Sequence, residues 1–342
     1  MKGLTARRRV RKMAVLLGVL LALAAPVGAA DPPFWGFALD GSPITGARLA
    51  ELEGTTGLSP RMVVFFLQWP SPGEGGVFPE ESLEAIAARG ALPCLTWEPM
   101  FIREGAETAI AAESILAGRY DGYVREFALR ARAWGKPFVI RFAHEMNLSR
   151  YHWGTDPEGY GPASPELYRR MFRHVVDIFR SSGATNVLWA FCPNAESVPN
   201  PSSGSLAAWN RPEAYWPGDD WVDILGMDGY NWGRTKVVER DGWESRWQSF
   251  REIFGPLRRA LRELAPAKPI VVFETASVAA GGVREDWLRE ALAEATDWGI
   301  RGVCWFYADK EEDWRLDAAG VAIVRRGTSA ASPRLGTAKG EK

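Results

Sequence analysis

The chain is 342 residues long, room for one large domain or two ordinary ones, and its 41 basic residues against 42 acidic leave a net charge of -1. That balance gives no field to draw in a polyanion, so nucleic acid is not an expected partner. The 16 Trp are heavy usage, and an indole offers a broad apolar face with one N–H, suited to core packing or to flat ligands such as sugar rings.

In chain order, the first segment is not expected to join the fold. "ARRRVRK" supplies a positive start, "MAVLLGVLLALAA" an apolar stretch short for a membrane span, and "VGAA" a small-residue cleavage site, so residues 1–30 read as a cleaved signal peptide. The expectation is a secreted or periplasmic protein, without stable membrane association after cleavage. The paired arginines leave twin-arginine export as an alternative to the general route.

From residue 31 to 326, short apolar runs alternate with amphipathic stretches. The runs are "FWGFAL", "MVVFFLQW", "LPCLTWEP", "FVIRFAHEMN", "NVLWAFCPN", "WVDILGMDGY", "PIVVFETAS" and "GVCWFYAD"; between them lie helical patterns such as "YDGYVREFALRARAW" and "SPELYRRMFRHVVDIFRSS". Runs apolar on both faces and separated by helices indicate parallel strands with helices outside, and eight such units predict an α/β fold, a (β/α)8 TIM barrel. Turns entering the strands are short ("RGALP", "WGKP", "WGIRG"), whereas segments leaving them are long and rich in Gly, Pro and Trp. That asymmetry places function at the C-terminal mouth. "NAESVPNPSSGSLAAWNRPEAYWPGDD", after the fifth run, departs from the pattern and predicts a substrate loop with short helical turns. A doubly wound open sheet is the rival, but no Gly-rich phosphate turn follows an early strand. The last stretch, residues 327–342, is small and polar and is expected to be disordered. Cys94, Cys192 and Cys304 each sit in an apolar run, where Cys behaves as a small hydrophobe, so no disulfide framework is expected.

Two strands deliver a carboxylate to the mouth: Glu145 ends the fourth and Glu274 the seventh. One carboxylic acid to protonate a leaving oxygen and one carboxylate to attack or to activate water are what glycoside hydrolysis requires. Either Glu alone reads as a solvated strand end; the two together, in a Trp-rich barrel, favour catalysis.

"RFAHEMN" in a fourth strand and "VVFETAS" in a seventh resemble glycoside hydrolase family 26, the β-mannanase family of the retaining (β/α)8 clan, from about Phe34 to Ala308. The resemblance implies Glu145 as acid/base and Glu274 as nucleophile. It further implies Tyr230, in "MDGYNW" with Asp228 two residues earlier, as the Tyr that holds the nucleophile, and His144 as a contact to the sugar being cleaved. Trp305 corresponds to the floor of that sugar site, Arg141 to the Arg that supports the carboxylates, and Trp97 with Glu98 in "LTWEP" to a substrate-touching strand end. His152 and Trp153 lie in the long loop beside the cleft, where Trp153 is expected to contact substrate. The departure is "LSRYHWG" after Asn147: Leu148 and Arg150 stand where the family often has Gly and Trp, which leaves sugar selectivity open. The expected partner is a β-linked polysaccharide, most simply mannan, with β-glucan and β-xylan as alternatives. The protein is expected to act as a monomer.

No cofactor is implied by this chemistry. "HEMNL" lacks the second His of a zinc-protease helix, Leu148 standing in its place, and with only 3 His and no G-x-S-x-G turn a serine hydrolase is poorly supported. A noncatalytic carbohydrate-binding barrel is the rival from another class; it would keep the Trp platforms and lose a carboxylate.

Overall fold

The computed structural model describes residues 32–151, 153, 159–200 and 207–328. The predicted signal peptide, His152 and nearly all of the predicted tail lie outside them; the last helix runs on to Thr328. Among the described residues no helix is long and apolar enough to cross a membrane.

Eight parallel strands close into a barrel: β1 (Phe34–Ala38), β2 (Met62–Gln68), β3 (Leu92–Glu98), β6 (Phe138–Phe142), β7 (Val187–Phe191), β8 (Ile224–Asn231), β9 (Ile270–Ser277) and β10 (Gly302–Phe306), each paired with its chain neighbour and β10 with β1. The apolar runs are therefore the barrel strands in sequence order. Strands β4 (Met100–Arg103) and β5 (Ala106–Ala109) form an antiparallel hairpin beyond β3 that the sequence reading did not assign. Its two-residue turn, Glu104 at φ 51° and Gly105 at φ 78°, has the left-handed backbone that closes tight hairpins.

Helices cover the barrel where the amphipathic patterns lie. In α5 (Ser164–Ser181) the buried residues Tyr168, Met171, Phe172, Val175, Val176 and Phe179 recur at three and four residues, one stripe turned to the strands. Each such side chain removed from water contributes about 1.5–3 kcal/mol. Helix α7 (Phe250–Leu264) starts at a capping box, Ser249 accepting from the Glu252 amide and Glu252 from the Ser249 amide, which satisfies two otherwise unpaired donors. The departure after β7 is also seen: the described part of that segment forms two 3-10 helices, Pro212–Tyr215 and Asp219–Trp221.

Small residues line the barrel interior just below the mouth. A Cβ on Gly36 would come within 2.6 Å of Cys304 Sγ, and one on Gly226 within 2.6 Å of Cys192 Sγ. All three thiols are free and buried. The volume they leave is occupied by one long side chain, Arg141, which has no solvent exposure.

Candidate active site

The mouth begins where β6 stops. Ala143 and Glu145 both adopt left-handed backbone, φ 48° and 51°, on either side of His144. A non-glycine residue there costs about 1–2 kcal/mol, so neighbouring structure must impose it. Both neighbouring strands do: Ala143 N–H donates to Trp97 O of β3 at 3.1 Å, and Glu145 N–H to Cys192 O, just past β7, at 2.7 Å. This turn swings the Glu145 carboxyl into the mouth, where it keeps 5% exposure.

Glu274 arrives by another device. Strand β9 pairs Val272 with Met227 but Glu274 with Asp228, so Phe273 is an extra residue in the ladder, and the pairing with β10 shifts over the same stretch. Such a bulge re-aims side chains at a barrel rim. It lets two successive residues face inward, Phe273 against the Arg141 guanidinium at 5.8 Å and Glu274 at its rim.

Arg141 ties the site together. Its Nε and one terminal nitrogen donate to Thr96 Oγ1 at 3.0 and 2.6 Å, and its two terminal nitrogens form ion pairs with Asp228 and Glu274. The other Glu274 oxygen accepts the Tyr230 hydroxyl at 2.6 Å. One buried cation thus serves two carboxylates, which keeps Arg141 charged with its pKa well above the ordinary value, although burial alone opposes that charge. Burial pushes Asp228 above the usual carboxylate range, and its Oδ1 has no hydrogen-bond partner.

Glu145 has a different environment. It accepts one hydrogen bond at the mouth, from Asn194 Nδ2 at 2.6 Å, and burial followed by the neighbouring charge of Glu274 raises its pKa to about 7. A carboxylic acid still protonated near neutrality beside a donor-held carboxylate is the division that acid and nucleophile need. Asn194, which Asn147 fixes, was not singled out in the sequence. Asn147 is fully buried, its Oδ1 accepting Asn194 N–H at 2.9 Å and its Nδ2 donating to Asn194 O, Glu196 O and Ser197 Oγ at 2.9–3.1 Å. The only sequence signal was an Asn two residues after a mouth carboxylate, a position that does not distinguish substrate contact from a clamp.

His144 reaches the same mouth. Burial, then Arg141 and Arg150, hold its pKa well below the ordinary value, so it is neutral, and its Nδ1 lacks a partner. His144, Asp228 and Glu274 each bring a potential ligand atom within 4.8 Å of the others, but the Arg141 cation already pairs with both carboxylates, which disfavours a metal ion. Glu98 faces inward two residues after Thr96, accepts a hydrogen bond from Gln68 Nε2, and is raised to about 7, chiefly by burial. Phe66 closes this side of the mouth, 6.1 Å from the His144 ring and 6.5 Å from Phe306.

Three tryptophans expected at the substrate are instead packing residues. Trp97 follows inward-facing Thr96, so strand alternation turns it outward; it lies against Phe127 of α4 (Asp121–Trp134) at 4.5 Å and donates to Tyr123 Oη at 3.0 Å, fully buried. Trp305 is likewise outward and fully buried, stacked on Trp35 at 6.2 Å and edge-on to Trp287 of α8 (Arg284–Asp297), with its N–H on Trp314 O; Phe306 turns to the mouth in its place. Trp153 keeps 1% exposure: it donates to His144 O and stacks at 5.1 Å beneath Tyr151, so it supports the mouth without facing it. Arg150 lies over the outer face of Tyr151 at 5.1 Å and forms an exposed ion pair with Glu107 of the β4–β5 hairpin at 3.3 Å.

Comparison with known proteins bears on the family and the fold. Residues 116–276, which run from before β6 to the end of β9 and include both carboxylates, match the family described as Glycosyl hydrolase family 26. Endoglucanase H of Acetivibrio thermocellus is 34% identical over 245 residues, 70% of this chain and 24% of that protein. A mannan endo-1,4-beta-mannosidase of Bifidobacterium adolescentis is 31% identical over 171 residues, 50% of this chain and 14% of that one. The chain thus spans a quarter or less of the length of these relatives. Among solved structures, the β-mannanase BoMan26A of Bacteroides ovatus superposes with a TM-score of 0.62 at 17% identity, covering 96% of this chain and 99% of its own. The Bacillus subtilis mannanase BCman gives 0.62 at 15%, covering 89% and 88%. At these identities the likeness to solved structures is one of fold.

Proposed function

We propose that this chain is a glycosyl hydrolase of family 26, that it cleaves internal linkages of a β-linked polysaccharide with retention of configuration, and that a mannan backbone is its substrate class. The observation that carries this reading is the contrast between its two carboxylates: Glu274 has both oxygens held by donors, whereas Glu145 is a buried acid raised to about 7.

The reaction runs in two displacements. Glu274 attacks the anomeric carbon as the glycosidic C–O bond breaks, and Glu145 gives its proton to the departing oxygen. Water then attacks the same carbon, Glu145 takes a proton from it, and Glu274 leaves with its electron pair. Arg141 and Tyr230 hold Glu274 in place throughout, and Asn194 does so for Glu145. The unpartnered His144 Nδ1, buried at the mouth, suits a hydroxyl of the sugar being cleaved. No bound cofactor takes part in these steps.

A β-glucan backbone is the second reading, favoured by the 34% identity to an endoglucanase over 70% of the chain. Initial rates and product sizes on linear mannan, galactomannan, glucomannan, mixed-linkage glucan and xylan decide between them. The expected result is highest kcat/KM on the mannans, with oligosaccharides released and turnover lost in Glu274→Gln. Turnover of none of them, or equal turnover by Glu274→Gln, would overturn the hydrolase reading, and preference for the glucan would replace the substrate. Residues 1–30 act as an export signal in this proposal; mature secreted protein should begin near residue 31, and cytoplasmic protein retaining Met1 would contradict that.

A further inference from the structure

The strand order dictates how a glycan can cross the mouth. Between β6, which carries Glu145, and β9, which carries Glu274, the barrel has β7 and β8 on one side and β3, β2, β1 and β10 on the other. A linear chain with its scissile bond between the two carboxylates must leave over both sides. On the β3–β2–β10 side stand His144, Glu98, Gln68 and Phe66, buried or half-buried groups suited to gripping one ring hydroxyl by hydroxyl.

The β7–β8 side is built differently. A groove of about 470 Å3 opens there, and its inner end is formed by Asn194 and Tyr230, the two residues that hold the catalytic carboxylates. It runs outward between Pro212 of the first 3-10 helix and Ile253 of α7, past Trp232 and Trp243. Trp232 is half-buried, edge-on to Trp314 at 4.9 Å with Lys236 Nζ 4.9 Å from its ring, so it is a fixed base. Trp243 stands nearly perpendicular to it, ring centres 5.8 Å apart and planes at 86°, and is 42% exposed. An indole left open to water beside a groove that reaches Asn194 and Tyr230 is poorly explained by packing, and well explained by an apolar pyranose face.

We propose that this groove binds the leaving-side sugars of the glycan, with Trp243 as the stacking platform and Trp232 as its support. The inference rests on the hydrolase reading. Glu145 protonates the leaving oxygen and is held from the β7 side by Asn194, so the departing sugars lie over β7 and β8. The ligand class is a neutral β-linked hexose unit that presents one apolar face.

The test compares substrates that do and do not place sugars in the groove. An aryl β-glycoside has no leaving sugar, whereas a polysaccharide does. For Trp243→Ala the ratio of polysaccharide kcat/KM to aryl-glycoside kcat/KM should fall about tenfold, the range of one aromatic contact, and Trp243→Phe should restore most of it. A ratio equal to that of the wild type would overturn the proposal. A second arm needs no turnover: oligosaccharides titrated into Glu145→Gln, followed by calorimetry, should bind about tenfold more weakly when Trp243→Ala is added. Equal affinity, or no binding to Glu145→Gln at all, would also overturn it. Failure of the wild type on every aryl glycoside would instead count against the hydrolase reading, which keeps the two failures distinct.

Discussion

At the scale of single residues, the roles proposed for Glu145 and Glu274 rest on what surrounds each carboxyl. Glu145→Gln should fold and lose nearly all turnover, and with an activated aryl leaving group, azide should restore a product of β configuration, because the nucleophile still forms the glycosyl-enzyme. The same substitution should raise Tm at about pH 8, since it replaces a buried carboxylate whose ionised form is disfavoured by a neutral side chain of the same shape. Wild-type turnover with Tm unaltered would contradict the acid assignment. Asn147 reaches Glu145 through Asn194, and it also holds Glu196 and Ser197. Asn147→Ala removes the partner of the part-buried Asn194 N–H, Asn194 O and Glu196 O and should cost about 1–3 kcal/mol in unfolding free energy. If it also loosens the Asn194 donor, which holds the Glu145 pKa down, the alkaline limb of the rate profile should move to higher pH. Destabilisation with an unmoved limb would make Asn147 purely structural. Glu145 and Glu274 were legible because each closes an apolar run, and His144, Arg141 and Tyr230 because their motifs resemble a known family; Asn194 was not, because its value lies in its partner Asn147.

Elements explain where the sequence reading failed. Trp97 and Trp305 belong to strands buried on both faces, and composition does not reveal which face an aromatic residue takes; only the partners do, Arg141 inward of Thr96 and the helix layer outward. Glu274 adds a bulge that breaks the period of two, a backbone event no side-chain pattern encodes. The β4–β5 hairpin escaped because its strands are short and largely exposed. That hairpin bears on selectivity through Glu107, which pairs with Arg150. Arg150 is exposed and its ion pair is of a kind worth about 0–1 kcal/mol, so its influence comes through its cover on Tyr151 and its charge near His144 and Glu145. Arg150→Trp should shift the ratio of kcat/KM on linear mannan to that on substituted or mixed-linkage glycans toward linear mannan. An unaltered ratio would leave Arg150 without a part in selectivity.

For the whole molecule, the barrel places buried carboxyls at its mouth at some expense of stability. Glu98 and Glu145 are both raised from 4.5 to about 7, chiefly by burial. Between those values the unfolded chain has released protons that the folded one keeps, so folding takes up protons and stability falls as pH rises through that window. The stabilisation is complete below about pH 4.5 and lost above about pH 7. Tm should decline from about pH 5 to about pH 8, and less steeply in Glu98→Gln; the same slope in both proteins would remove Glu98 from the account. The alternation of strands and helices made the barrel readable throughout, because eight units in order leave few other ways to bury so many two-faced strands.

The central claim is that Glu274 attacks carbon while Glu145 handles the proton. A nucleophilic carboxylate needs its partner about 5–5.5 Å away and retains configuration, whereas a carboxylate that activates water needs about 6.5–9.5 Å and inverts it. Proton NMR of the product in the first minutes of hydrolysis reads this directly, before mutarotation mixes the anomers. The β-anomer should appear first from any β-glycan the protein cleaves; first appearance of the α-anomer would contradict the nucleophile assigned to Glu274.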